Sequence, residues 1–269
     1  PKKYKGRTVI EMGDLYSHNY FQTFCNLGIL NPVKYIYFVE SFLVKRIKKN
    51  IFTNFDKIIL FSKDEIKKIN KIFKKKLFNI SLSVNLIDNK ISYSKKNNQI
   101  LFIGNLSYLP NLLAVKDFIK NILPSLRVRI TNIQFCVVGN VGKINKFFLS
   151  FHKGVIFVGQ QQNIKSYIKK SFCGLANLKI ATGIQGKVLT YMSYGLPAIC
   201  SKKVSPNFKN NVINYNNNKE LIEKIVNLKN NKKLSKKLSK ESLVFIKKLK
   251  SNKINLEYLK IVNFNKKSF

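Results

Sequence analysis

The chain has 269 residues, 45% of them hydrophobic, which supplies apolar material for one large or two modest cores and excludes a disordered chain. Its charge is extreme, Lys+Arg 50 against Asp+Glu 12 for a formal +38, a field that attracts anionic membrane surfaces and other polyanions. The lysines run from Lys2 to Lys267 and are not organised with aromatics into a recognition module, so specific nucleic-acid binding is not expected. A solvated basic surface and recruitment to anionic lipid or substrate both remain open.

In chain order, "FDKIILFS" (55–62) reads as a buried strand. Ser62 then stands as N-cap of a helix, "KDEIKKINKIFKK", with Asp64 and Glu65 in its first turn. "FNISLSVN" reads as a further short strand, and the polar, aperiodic "IDNKISYSKKNN" as a linker, which places a domain boundary near residues 90–97. Beyond it strand and helix alternate. "QILFIG", "IQFCVVG", "VIFVG", "FCGLAN" and "PAICS" are apolar strands. The helical stretches between them include "LLAVKDFIKNILPSLRVR", where Pro124 marks a kink or break, and "GIQGKVLTYMSYG". Such alternation predicts a doubly wound α/β domain whose parallel sheet is covered on both faces. Its ligands would sit at the carboxyl ends of the strands, in the loops after "LFIG", "VVG", "FVG" and "LAN". Two lysine-rich helices, "KLSKKLSKESLVFIKKL" and "KINLEYLKIV", close the chain, either as a cap on the sheet or as basic amphipathic helices touching a membrane.

The cysteines Cys25, Cys136, Cys173 and Cys200 are widely spaced and form no CxxC pair, so neither zinc nor a disulfide framework is expected, and a reducing cytoplasm is favoured. No stretch approaches the ~20 apolar residues needed to cross a bilayer. The chain opens Pro-Lys-Lys without Met and shows no signal peptide, and its true N-terminus is expected to be absent.

"ATGIQGKVLTYMSYGLPAICS" (181–201) carries the chemistry. Thr182 and Gly183 are expected at a strand-to-helix turn, with the free N–H groups and positive end of the following helix forming an anion site. Gly183 and Gly186 would keep side chains clear of the anion, and Lys187 would add a charge. An ordinary, well-capped helix start is the alternative. Asp14, Ser17 and His18 are expected in a loop after "TVIEM" facing a cleft, where Asp14 and His18 are candidate acceptor-side catalytic groups or incidental loop residues. With 12 acidic residues, no carboxylate pair of the glycoside-hydrolase kind stands out.

The same segment resembles the nucleotide-sugar site of family 4 (group 1) glycosyltransferases with the GT-B fold, in the branch that reads "GSGIQNKVLEAMAMGLPVV". "ILFIGNLSYLPNLLAVKDFIKNILPSL" is similar to that branch's "LFVGNMSYPPNVDAVLYFIKEILPLI", and "GVIFVGQQQNIKSYIKKS" to its "VTGFVDDIRPYIAKA". "VIEMGDLYSHNY" and "YFVES…FDKIILFSKDEI" resemble the second half of the acceptor-side domain more weakly, as in an N-terminally truncated member. The resemblance implies a partial N-terminal Rossmann-like domain over residues 1–95. It also implies a complete C-terminal doubly wound domain over 96–250 and a last helix, 251–269, packing back on the N-terminal domain.

Carried over residue by residue, the resemblance implies a diphosphate cradle at Gly183, Ile184, Gln185, Gly186 and Lys187, with Gly186 in place of an Asn. Gly104 and Asn105 would form the second phosphate-facing loop, and Lys179 would take the place of a phosphate-contacting Arg. Thr182 stands at the first of the family's two nucleotide-binding glutamates, where this branch commonly has Ser. Thr190 stands at the second, the ribose-binding Glu; a hydroxyl lacks both its charge and its bidentate acceptor. The implied reaction is retaining transfer of a sugar from a nucleoside diphosphate to an acceptor hydroxyl, without metal or cofactor, on a glycan or lipid-linked acceptor in glycan, lipopolysaccharide or exopolysaccharide synthesis. The implied location is the cytoplasm or the inner face of an anionic membrane. Two other readings stand beside it: a catalytically impaired sugar-nucleotide-binding module, and a basic protein that binds membrane surfaces or polyanions.

Overall fold

The structure, a computed structural model, describes residues 4–84, 97–249 and 251–262 and divides into two units. One unit holds Pro1–Asn85, Ile180–Ile184 and Leu249–Phe269; the other holds Leu86–Lys179 and Gln185–Lys248. Apart from Asn97 and Asn98, the linker expected over "IDNKISYSKKNN" lies outside the described residues.

In the first unit β1 (Val9–Met12) leads through α1 (Tyr16–Asn26) and α2 (Val33–Asn54) to β2 (Lys57–Leu60), α3 (Lys63–Lys67) and β3 (Leu77–Asn79). The strands form a parallel sheet in the order β1-β2-β3, with Val9 opposite Lys57 and Ile58 opposite Leu77. Strand alternation splits the core between the two faces. Ile58 and Leu60 pack with Leu15, Phe52 and Ile69, while Ile59 packs with Ile80 and with Ile254 of the last helix. The helix expected over "KDEIKKINKIFKK" stops at Lys67 and is followed by a 3-10 turn, Lys71–Lys76. Asn70 explains the break, because its side chain accepts a hydrogen bond from the Ile72 N–H and competes with helical continuation. Ser17 and His18, expected in a loop, lie in the first turn of α1.

In the second unit β4 (Gln99–Ile103) is followed by α4 (Leu109–Asn121) and α5 (Leu123–Arg129). Pro124 breaks the expected long helix in two and sits in the first turn of α5, where a missing N–H costs nothing. Then come β5 (Gln134–Val138), α6 (Lys143–Ser150), β6 (Val155–Gly159), α7 (Lys165–Lys170) and β7 (Ser171–Ala176). After β7 follow α8 (Gly186–Ser193), β8 (Ala198–Ser201), β9 (Ile213–Tyr215), α9 (Asn218–Asn230) and α10 (Lys232–Lys247). The final helix α11 (Ser251–Val262) belongs to the first unit, where Lys57 Nζ also donates to the Ile261 carbonyl at 2.6 Å.

All the strand pairs of this second sheet are parallel, in the order β6-β5-β4-β7-β8-β9. Numbered within the sheet, that is the doubly wound order 3-2-1-4-5-6 of dinucleotide-binding domains, with its topological switch between β4 and β7. Phe102, Phe118, Phe135, Leu126, Ile199 and Val188 are among its fully buried side chains. Helix α10 buries Leu238 and Ile246 and brings Phe245 to 6.2 Å from Phe208, so its apolar stripe is packed within the unit. Cys136, Cys173 and Cys200 are buried as small hydrophobes, and burial raises all three thiols. Among the described residues no helix is long and apolar enough to cross a membrane.

Candidate functional site

At the switch point two strands part company, and the gap between them is filled by one side chain. The β4–β7 ladder ends at Leu101 opposite Gly174. Just beyond, the fully buried Tyr191 of α8 places its hydroxyl between the strands, accepting from the Ile103 N–H at 2.9 Å and donating to the Leu175 carbonyl at 3.2 Å. The ring needs a glycine beneath it, since a Cβ on Gly174 would lie 2.3 Å from the Tyr191 ring. Ligands of doubly wound sheets sit at this crevice.

The loop after β4 forms one wall. Asn105 turns the chain by accepting the Ser107 N–H on its side chain at 2.9 Å. Its carbonyl accepts from Asn111 Nδ2 at 2.9 Å, and Gly104 leaves room for that buried Asn, which a Cβ would approach to 2.8 Å. Asn111 Oδ1 in turn accepts from Lys187 Nζ at 2.6 Å, and the ammonium lies 4.0 Å from the centroid of the Phe102 ring. Burial lowers the Lys187 pKa to about 7, although the residue is only half-buried by surface area. Gly104, Asn105 and Lys187 are thus brought together, with Asn111 as the link between them. An incoming phosphate would restore full charge to the ammonium and find a hydrogen-bond donor already in place.

Helix α8 begins at Gly186, three residues later than Gly183, with Gln185 extended at its N-cap. Gly183 stops the helix from starting earlier because it holds a left-handed φ of 63°. A Cβ on Gly186 would meet nothing within 4 Å, so a side chain such as Asn has space there. Thr190 spends its hydroxyl on the Gly186 carbonyl, 3.1 Å away and one turn back. Lys179 is held at Asp117 of α4 by an ion pair of 3.0 Å. Asn177 is buried and donates to the Ala114 carbonyl at 2.8 Å, with its Oδ1 unpaired.

The chain passes from the first unit to the second between Ile184 and Gln185, so the expected cradle is divided. Within the first unit Ala181 and Gln22 exchange hydrogen bonds of 3.3 and 3.2 Å. Asn19 donates to the Thr182 hydroxyl at 3.1 Å, and that hydroxyl bonds Asp14. Asp14 is pressed against Gly183 so closely that a Cβ there would lie 1.6 Å from Oδ1. Beneath them the buried Glu65 accepts from the Leu15 and Gly183 N–H groups and leaves Oε2 unpaired. Burial, then the charge of Glu65, raises Asp14 to about 7, against the lowering effect of Thr182; burial raises Glu65 as well. Ile184 and His18 are half-buried in the same unit.

Sequence reasoning missed Asn111, Glu65 and Tyr191. The first stands inside the "SYLPNLLAV" block, and the second reads only as a first-turn acid. The third looks like one more apolar position of α8. Among the described residues no cluster of His, Cys, Asp or Glu could hold a metal ion.

A parallel sheet with a switch-point crevice in the second unit, and a smaller parallel sheet in the first, define a GT-B-type architecture. The profile of the glycosyl transferases group 1 family matches residues 97–231, half of the chain, and the protein belongs to that family. No curated protein sequence matches it. Among solved structures it is similar to sucrose-phosphate synthase from Thermosynechococcus elongatus, with TM-score 0.75, 13% identity and coverage of 97% of this chain and 68% of that one. TarM of S. aureus aligns with TM-score 0.66 at 14% identity over 82% of this chain, which spans 46% of TarM. HepE of Anabaena, solved with UDP-glucose, aligns with TM-score 0.67 at 12% identity over 94% of this chain and 71% of that one.

Proposed function

We propose that the chain supplies the donor-binding part of a retaining glycosyltransferase that moves a sugar from a nucleoside diphosphate to an acceptor hydroxyl of a glycan or lipid-linked acceptor. The observation that carries this reading is the convergence of Lys187, Asn111 and the Gly104–Asn105 loop at the switch point. A leaving diphosphate needs its developing charge stabilised. A preorganised lysine and the N–H groups at the start of α8 do that without a metal. Gly104, Asn105, Gln185 and Lys187 are assigned to the diphosphate, with Lys179 in support if it leaves Asp117. HepE was solved with UDP-glucose and a pneumococcal O-GlcNAc transferase with UDP and GlcNAc, which favours a uridine nucleotide for this chain too. Glycan, lipopolysaccharide or exopolysaccharide synthesis at the inner face of a membrane fits the +38 charge.

Calorimetry with UDP, GDP and ADP, with and without EDTA, tests donor binding; nucleotide release in the presence of a UDP-sugar tests turnover, and the anomeric configuration of the product tests retention. Absence of binding to every nucleotide would sink the reading. Thr190 favours a second one, a nucleotide-sugar-binding module impaired in transfer, because its hydroxyl is already committed to Gly186. Binding with no turnover of any sugar nucleotide would establish that module.

A further inference from the structure

The first unit contains a cavity of about 450 Å³ formed between α1, α2 and the end of α3. Three of its lining residues are lysines, Lys45, Lys48 and Lys68. Lys45 and Lys48 are three residues apart on one face of α2, an arrangement in which like charges repel. Among the described residues none of the three has a carboxylate in ion-pair contact. The acid that acts on them is Glu65, whose charge bears on Lys48 and Lys68 while its own hydrogen bonds go to backbone N–H groups. Lys48 is half-buried, and burial followed by the charge of Lys45 lowers its pKa. Three ammonium groups around one hollow, opposed by one buried acid, are an unbalanced positive charge. Beside them Phe21 and Phe42 line the same hollow and remain 46% and 55% exposed.

We infer that this cavity binds a phosphate group carried by the acceptor, with Lys45, Lys48 and Lys68 on the anion and Phe21 and Phe42 against the apolar part of the molecule next to it. The inference rests on the glycosyltransferase reading for the word acceptor. A phosphate monoester brings close to two negative charges, which matches three lysines better than the single charge of a carboxylate. The volume is that of a small-molecule site, larger than the anion alone, and its exposed rings are suited to a sugar face or an acyl or prenyl segment. The phosphate can belong to a soluble sugar phosphate or to a lipid.

The test uses the full chain. Titrations with inorganic phosphate and with a soluble sugar phosphate are run beside co-sedimentation with vesicles of phosphatidic acid, a lipid phosphate monoester, in phosphatidylcholine. The proteins compared are the wild type, the triple variant Lys45→Gln/Lys48→Gln/Lys68→Gln, and a charge-matched triple variant on α10, Lys233→Gln/Lys236→Gln/Lys240→Gln. The expected result is saturable phosphate-group binding that weakens about tenfold in the cavity variant and stays unchanged in the α10 variant. Cavity-dependent binding of the sugar phosphate identifies a soluble acceptor, and cavity-dependent binding of vesicles alone identifies a lipid one. Equal weakening in both triple variants, or none in either, overturns the proposal. Lys45→Gln alone, at an exposed position, gives the same reading at smaller amplitude if the triple variant folds poorly. UDP affinity is measured on every variant. Its absence throughout defeats the donor reading and leaves the cavity result standing, while its retention with no cavity effect does the reverse.

Discussion

Lys187 shows what a single residue contributes. Its ammonium is folded between Asn111 and the Phe102 face, so Lys187→Ala should weaken UDP binding about tenfold or more in calorimetry while the fold persists. Glycine positions separate geometry from composition. Gly183→Ala combines a left-handed φ with a collision against Asp14 and should lower the thermal midpoint clearly, whereas Gly186→Asn should leave it unchanged. Asp14 adds a pH dependence. Its pKa is raised to about 7 from an ordinary 3.8, so the folded state holds a proton that the unfolded chain releases. Stability therefore falls as pH rises from about 4 to about 7, and thermal melts of Asp14→Asn across that window should show a flatter slope. An unchanged slope would assign the dependence to Glu65, which shifts in the same direction.

At the level of elements, α8 serves two purposes that its sequence does not separate. One face holds the sheet together through Tyr191, and Tyr191→Phe should cost about 1–3 kcal/mol in denaturant unfolding by leaving the Ile103 N–H and Leu175 carbonyl unpaired. The other face carries Thr190, where Thr190→Glu should raise nucleotide affinity about tenfold by supplying a bidentate acceptor for the ribose hydroxyls. No gain would mean that the ribose does not reach that turn. The alternation of apolar strands with helices made the second sheet readable in advance, because periodicity is a local property. Helix limits were less readable. Asn70 ended α3 early through its side chain, and the positive φ of Gly183 delayed α8 to Gly186, both choices made by hydrogen bonding and backbone torsion rather than by apolar spacing.

Across the whole molecule the charge of +38 governs behaviour in salt. Raising salt from about 20 mM to about 300 mM should raise the thermal midpoint by screening self-repulsion, and the same change should weaken association with anionic vesicles. Vesicle binding indifferent to salt would show that apolar contacts dominate it. The +38 and the parallel α/β class were already written in composition and pattern, and the Gly104–Asn105 loop and the Gly183–Lys187 turn were legible as motifs. Three-dimensional packing settled what those motifs touch. Asn111 joins Lys187 to the loop after β4 across a sequence separation of 76 residues, and Asp14 meets Gly183 within the first unit. Segment 180–184 groups with a sheet remote from it along the chain, and the doubly wound order puts β4 beside β7. Local sequence encodes torsions, periodicity and charge; which distant side chains share a hydrogen bond is decided only when the strands take their order in the sheet.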